Sequence, residues 1–378
     1  MFEKGFTPSS THPPLPPTSE DERFSRLRLL RSRRVGISTY HRLMAEFGSA
    51  QAALEALPDV AAKAGERGYR ACDPGRAARE LADGKAVGAR LLHQDDPEFP
   101  GCLGDLAHMP PMLWCLGQVD LMHRPALSLV GARNASSNGT RMARKMAHAL
   151  GEAGQVIVSG LARGIDTAAH LGSLETGTIA VVAGGVDVTY PLENAELADK
   201  IKKTGLLISE VPMGTQPMAR HFPARNRLIS ALGQATIVVE AAARSGSLIT
   251  ARDALDIGRD VMAVPGHPFD GRAGGCNLLI RDGALLVRHA EDVLDALRPI
   301  AAPEAPKKPR QPALDLRSQN ALHQQVLERL GPAPLPEDQL IRDLATTASN
   351  VAPILIELEL NGLIDRQPGG LLIRNSAS

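Results

Sequence analysis

Between Pro125 and Arg298 short β-branched apolar runs alternate with segments of helix length, and nearly every run is closed by glycine. The runs are Ala126–Val130, Gln155–Ser159, Thr178–Ala183, Leu206–Val211, Ala235–Glu240, Val261–Val264 and Ala284–Val287. Near-continuous apolar strands separated by helices predict an α/β domain with a parallel sheet covered on both faces. Gly131 follows the first run, Gly160 and Gly164 the second, Gly184 and Gly185 the third, and Gly214, Gly246 and Gly266 the next three. Ligands of open parallel sheets bind beyond the carboxyl ends of the strands, where the strand order switches. Glycine at those turns lets backbone N–H groups approach an anion.

Basic residues lie among these turns. Arg133 follows the first run, Arg163 the second and Arg244 the fifth, while Arg220, Arg225 and Arg227 surround the segment His-Phe-Pro-Ala-Arg-Asn-Arg. Pro223 suits the first turn of a helix, so Arg225 and Arg227 are expected beside free N–H groups and a positive dipole end. Arginine there can grip a phosphate with two parallel hydrogen bonds. Arg133 and Arg225 are expected to clamp one phosphate-backbone segment, and loss of Arg225 to leave thermal stability nearly unchanged.

Several other chemistries are disfavoured. The first turn, Gly131-Ala-Arg-Asn-Ala-Ser-Ser-Asn-Gly139, is not G-x-G-x-x-G, and the second run ends in Ser159-Gly160 where a ribose-binding carboxylate belongs. Neither a phosphate-binding G-x-x-x-x-G-K-[ST] loop nor a G-x-S-x-G elbow occurs. Asp166 and His170 are spaced i, i+4, but two ligands without a third read better as a helix cap and a helical pair than as a metal site. No catalytic constellation, cofactor or metal is expected.

Composition narrows the partner. The 378 residues carry 42 basic and 42 acidic side chains, so no global field draws the chain to nucleic acid or membrane. Seven Phe, three Tyr and one Trp are too few for a serial stacking platform. Cys72, Cys102, Cys115 and Cys276 form neither C-x-x-C nor zinc spacing and read as reduced thiols of a cytoplasmic protein. No apolar run has membrane-spanning length, so no membrane contact is expected. Domain organisation is read as a disordered tail (1–22), a helical domain (23–92) broken at Gly36, Gly48, Pro58 and Gly65, the sheet domain (93–298), a Pro-rich linker (299–313) and a last domain of about three helices and a hairpin (314–378). Within the sheet domain, the Pro-rich stretch Asp95–Gly117 is expected to form loops and a short strand.

Six blocks carry a family resemblance. They are Val130-Gly-Ala-Arg-Asn-Ala-Ser136, Ser159-Gly-Leu-Ala-Arg-Gly-Ile-Asp166, Phe222-Pro-Ala-Arg-Asn-Arg-Leu-Ile-Ser230, Glu240-Ala-x-x-x-Ser-Gly-Ser-Leu-Ile-Thr-Ala251, Gly258-Arg-Asp-Val-Met-Ala-Val-Pro-Gly266 and Gly275-Cys-Asn-Leu-Leu-Ile-Arg-Asp-Gly-Ala284. In this order they resemble the DNA-processing protein A (DprA/Smf) family. The resemblance implies an extended Rossmann-like fold, single-stranded DNA as ligand without sequence preference, a homodimer, and loading of the RecA recombinase during natural transformation. It implies a DNA pocket lined by Arg133, Ser136, Arg225 and Asn226, with Arg220 and Phe222 beside it. Gly160, Arg163, Arg227, Ser245 and Gly246 join it from the turns. A family-type dimer would use Asn277, Leu278, Ile280 and Leu285. Asn134 stands where the family often has a second basic residue or Ser, so the first motif is thinner in charge.

The first flank opens with a basic stretch, read either as a DNA contact or as a solvated helix face. Six arginines between Arg23 and Arg34 precede Val35–Gly48, which resembles part of a helix-hairpin-helix unit of the kind that offers N–H groups to phosphates, in a region often described as SAM-like. The last domain resembles a winged helix. Its third helix, about Ser349–Leu360, has Glu357 and Glu359 and no basic residue, which disfavours base reading and favours a structural or protein-contact role. Two rivals are a nucleotide phosphoribohydrolase, disfavoured because Ser245–Arg252 lacks a catalytic glutamate while Glu240 lies nearby, and a winged-helix transcription factor.

Overall fold

A computed structural model describes residues 19–298 and 316–375. They form two compact units, divided between Arg298 and Pro299, and each is described by itself.

The first unit begins with four helices, α1 (Ser19–Arg31), α2 (Ile37–Phe47), α3 (Ala50–Lys63) and α4 (Pro74–Ala86). Leu29, Tyr40, Leu43, Ala53 and Leu57 form their common core. The predicted tail is therefore too long by four residues, because Ser19–Glu22 is already helical and Glu22 accepts a hydrogen bond from Ala50 N–H. Pro58 does not break α3: it is exposed, while Leu54, Leu57 and Val60 on either side of it pack into the shared core. Burial of that face outweighs the one hydrogen bond a proline removes.

Nine strands follow: β1 (Arg90–His93), β2 (Met112–Gly117), β3 (Ala126–Gly131), β4 (Val156–Ser159), β5 (Thr178–Val181), β6 (Leu206–Ser209), β7 (Ala235–Val239), β8 (Asp260–Ala263) and β9 (Leu285–Leu286). Their order is β1-β2-β6-β5-β4-β3-β7-β8-β9. All pairings are parallel except β1–β2 and β2–β6. The seven predicted runs are the seven parallel strands, and β1 and β2 extend the sheet antiparallel at one edge. The sheet thus starts at Arg90, inside the block read as helical.

Alternate residues point to opposite faces. Leu127, Leu129, Ile157 and Ile237 meet α5 (Ser137–Glu152) and α6 (Ile165–Ser173). Val130, Val158, Val181 and Val238 meet α8 (His221–Leu232) and α9 (Ser247–Asp256). Helix α7 (Ala195–Thr204) covers β5 and β6, and α10 (Gly274–Arg281) and α11 (Ala290–Leu297) finish the unit.

The arginines of α1 and its following turn are tied internally. Arg23 and Arg26 bind Asp96 and Asp95, Arg28 donates to the Cys72 carbonyl, and Arg33 and Arg34 pair with Glu66. Arg31 is buried against Glu80 at 2.8 Å, and Glu80 also accepts from the indole N–H of Trp114 on β2. Gly84 leaves room for that indole, since a Cβ there would lie 2.3 Å from the ring. The helical block is thereby fastened to the sheet edge, and five of the six arginines between Arg23 and Arg34 are in ion pairs, with Arg33 and Arg34 sharing Glu66 while staying exposed.

The second unit contains α12 (Leu316–Arg329), α13 (Glu337–Asp343) and α14 (Ala348–Leu360), with strands β10 (Leu335–Pro336), β11 (Ile364–Gln367) and β12 (Leu371–Arg374). The β11–β12 hairpin turns at Gly369 and Gly370, as the sequence indicates, and Val326, Leu340, Leu355, Ile364 and Leu372 form the core of a winged helix. On α14, Glu357 lies 3.2 Å from His323 and Glu359 3.7 Å from Arg366. The expected linker lies outside the described residues.

Two imidazoles are held neutral inside the first unit. His170 Nε2 accepts from Leu161 N–H at 3.2 Å, so Nδ1 carries the proton and donates to Thr178 Oγ1 at 2.7 Å. Burial lowers its pKa to about 3, and that of His93 to about 4. The unfolded chain protonates both near pH 6.5 and the native chain does not, so stability is lost as the pH falls from about 6.5 toward these values. Urea unfolding at pH 7 and pH 5 should show a loss in the native protein that is smaller by up to about 2 kcal/mol in His170→Gln. Equal losses in the two proteins would exclude His170 as a contributor. At neutral pH, Arg31→Met should cost about 3–5 kcal/mol, because it leaves the Glu80 carboxylate buried and uncompensated.

Candidate functional site

The strand order reverses between β3 and β7: β4, β5 and β6 spread to one side of β3, and β7, β8 and β9 to the other. At the carboxyl ends of these two strands lies a groove of about 620 Å³. Its walls are the turn Gly131–Asn134 after β3, the turn Ala242–Ser247 after β7, and the first turns of α8 with Phe222, Pro223, Arg225 and Asn226. A narrower cleft runs on from it past Gly160 to Arg163 and Tyr190, sharing Arg133 and Phe222. The glycine-rich turns thus converge where the topology predicts a ligand site.

Arg225 is at the floor of the groove and only 5 % exposed. Its charge faces Asp166, whose Oδ2 accepts from the N–H groups of Gly160 and Ala162 at 3.2 and 3.3 Å. Burial lowers the Arg225 pKa to about 10, against the opposing pull of Asp166, so the guanidinium is charged at neutral pH. Burial likewise raises that of Asp166, and Arg225 opposes it. A Cβ on Gly160 would come within 1.4 Å of Arg225 Nη1, so any side chain here would displace the Arg225 guanidinium. Arg225 Nε and Nη1 have no hydrogen-bond partner. Because Arg225 is buried beside the Asp166 carboxylate, its removal is expected to lower stability, contrary to the reading from sequence. Asp166 and His170 are not a pair of metal ligands: each holds the backbone of the Ser159–Arg163 turn.

Around the rim the cations are exposed. Among the described residues Arg133, Arg220 and Arg244 form no ion pair. The Arg133 guanidinium lies 4.9 Å from the centre of the Phe222 ring, and Tyr190 leans on the other partner of that stack at 5.8 Å. Arg163 is 3.9 Å from Glu193, both well exposed. Asn226 Nδ2 reaches the Gly246 carbonyl at 3.4 Å, and Ser245 Oγ is 2.7 Å from Ser247 Oγ, so both serve the turn that forms one wall. Arg227 is committed inside the protein, to Glu210 and to the His108 carbonyl.

Ser136 is also committed. Its hydroxyl donates to Glu240 Oε1 and accepts from Gly139 N–H, capping α5, while its own N–H donates to Glu240 Oε2 at 2.8 Å. Glu240 adopts a left-handed backbone (φ 53°), and a Cβ on Gly139 would lie 2.3 Å from its carboxyl carbon. The anion site at the start of the first crossover helix is therefore filled by a carboxylate of the same chain. In the sequence Glu240 opens one of the six blocks, but nothing there indicates that its carboxylate caps α5, and Tyr190 lies outside every block; both placements depend on turns meeting across the sheet.

The residues expected at a dimer contact are dispersed. Asn277 braces Gly266 with two hydrogen bonds, Leu278 is half-buried, Ile280 packs on the sheet core, and Leu285 is exposed beside Leu286 on the edge strand β9.

Comparison with known proteins agrees with this architecture. Residues 90–298 match the family described as DNA recombination-mediator protein A, residues 20–82 a DprA-like N-terminal HHH domain, and residues 303–370 a DprA winged helix domain. Protein Smf of Synechocystis is 34% identical over 315 residues, covering 74% of this chain and 79% of its own. The DNA processing protein DprA of Streptococcus pneumoniae is 46% identical over 201 residues, 53% of this chain and 71% of that protein. The crystal structure of the pneumococcal protein superposes with a TM-score of 0.56 at 41% identity over 59% of this chain and 77% of that one. A Helicobacter pylori DNA processing protein A, described for its single-stranded DNA binding mode, superposes with a TM-score of 0.52 at 28% identity over 56% of this chain and 96% of that one. With its central domain, its helical flank and its winged helix all matched in order, the chain belongs to the DprA/Smf family.

Proposed function

We propose that this protein is a non-enzymatic recombination mediator that holds single-stranded DNA by its backbone in the β3–β7 groove and, as a cytoplasmic homodimer, delivers the strand to RecA. The observation that carries this reading is the set of three unpaired arginines, Arg133, Arg220 and Arg244, on or beside the groove of a chain with zero net charge. Arg225 supports it from below, with two buried N–H-bearing nitrogens directed at no protein acceptor. Guanidinium and backbone N–H groups bind phosphate without regard to base, which favours sequence independence. The relative from Helicobacter pylori is described as binding single-stranded DNA, and the family description as a recombination mediator supports delivery to a recombinase. Among the described residues no helix is long and apolar enough to cross a membrane.

The phosphoribohydrolase reading is weakened by Glu240, whose two oxygens are engaged at the start of α5. Incubation with nucleoside monophosphates should release no free base. For the dimer, Leu285 and Leu286 at 46% and 42% exposure on a two-residue edge strand are the better candidates, and Leu285→Glu should give a folded monomer. Unchanged mass in solution would remove β9 from the interface.

Arg133→Ala should weaken binding of an oligothymidylate about tenfold, as expected for one charge-assisted contact of about 1.5–3 kcal/mol, while the melting temperature stays put. Arg225→Ala should lower both affinity and stability. For about three to five neutralised phosphates the slope of log affinity against log salt should be roughly −2 to −3.5, and duplex should bind more weakly than single strand. A slope near zero, or preference for duplex, would refute backbone capture in this groove.

A further inference from the structure

The loop between β8 and α10 leaves the same carboxyl edge of the sheet as the groove, one strand further out, and its Arg272 lines the groove wall. This loop is tightly ordered by its own bonds. Gly266 N–H donates to Asn277 Oδ1 at 3.1 Å, and Asn277 Nδ2 returns a bond to the Gly266 carbonyl at 2.9 Å. Asp270 accepts from the backbone N–H and from Nε of Arg272 at 2.9 and 3.0 Å, and Asp270 N–H donates to the His267 carbonyl at 2.9 Å. At the tip of this braced loop Phe269 is 95% exposed; its N–H donates to His267 Nδ1 at 3.3 Å, and among the described residues its ring neighbours the His267 ring alone, at 5.5 Å. An ordered phenyl ring in water gains nothing from folding, and its two free faces are the surface on which a nucleobase stacks. Arg272, three residues on, ties the ring to the path of the phosphates.

We infer that Phe269 stacks on a base of the bound strand just beyond the groove, as a single aromatic contact that tolerates any base; this rests on the DNA-binding reading above. The test uses the full chain and an oligothymidylate of about 20 nucleotides, longer than the ~4–16 that one single-strand site covers. The single native tryptophan, Trp114, is buried, so Phe269→Trp places the only exposed indole at the loop tip. Its fluorescence should be quenched on adding the oligonucleotide, and Phe269→Ala should bind about tenfold more weakly with an unchanged melting temperature. Absence of quenching, with Phe269→Ala as tight as native while Arg133→Ala is weakened, would overturn the stacking role and leave the groove reading intact. If Arg133→Ala is as tight as native too, both readings fall. If Phe269→Ala holds DNA normally but no longer retains purified recombinase, the ring is a protein contact and the inference is wrong.

Discussion

The groove depends on a guanidinium buried opposite a carboxylate. At its floor Arg225 of α8 lies against Gly160 of the β4–α6 turn, and its charge acts on the nearby Asp166 carboxylate of α6, which in turn fixes the N–H groups of that turn. A buried charge pair is an uncertain source of stability, but removing either member is costly, so such a pair fixes geometry better than it adds free energy. Here the Arg225 guanidinium fills the space where a side chain on Gly160 would go, so α8 and the Gly160 turn meet closely at the floor of the site. That floor carries a buried positive charge, whereas the rim arginines are exposed.

Fold and site were unequally legible. The seven parallel strands are written locally, in apolar runs with a glycine after nearly every one, and each was placed to within a few residues. β1 and β2 were less so: Arg90–His93 is a short, half-exposed edge, and its pairing is decided by the partner strand. Pro58 misled because propensity is local while the burial of Leu54 and Leu57 is not. Among site residues, Arg133, Arg220 and Phe222 stand where the motif order suggests. Ser136 and Arg227 have the right chemistry but bind Glu240 and Glu210, acids more than a hundred residues and seventeen residues away in sequence. Which arginine is free and which is consumed is a tertiary fact. A chain with equal numbers of acids and bases shows only the totals.

Glu240 gives this Rossmann-like sheet its character. In a nucleotide-binding relative of the architecture, the first N–H groups of the crossover helix take a phosphate. Here a carboxylate from the neighbouring strand already accepts from Ser136, and the strained backbone of Glu240 holds it there. The remaining space lies to the side of that helix start, along Arg133 and the α8 turn.

The internal pairing of the α1 arginines bears on kinetics. Arg23, Arg26 and Arg31 each face an acid, and Arg33 and Arg34 share Glu66, so much of the positive charge of this helical stretch is offset within its own unit. Long-range steering and one-dimensional sliding along duplex both need a broad positive field, and this offset weakens it. In the function proposed above, a strand would therefore reach the groove with little long-range steering, and duplex would compete weakly on electrostatic grounds.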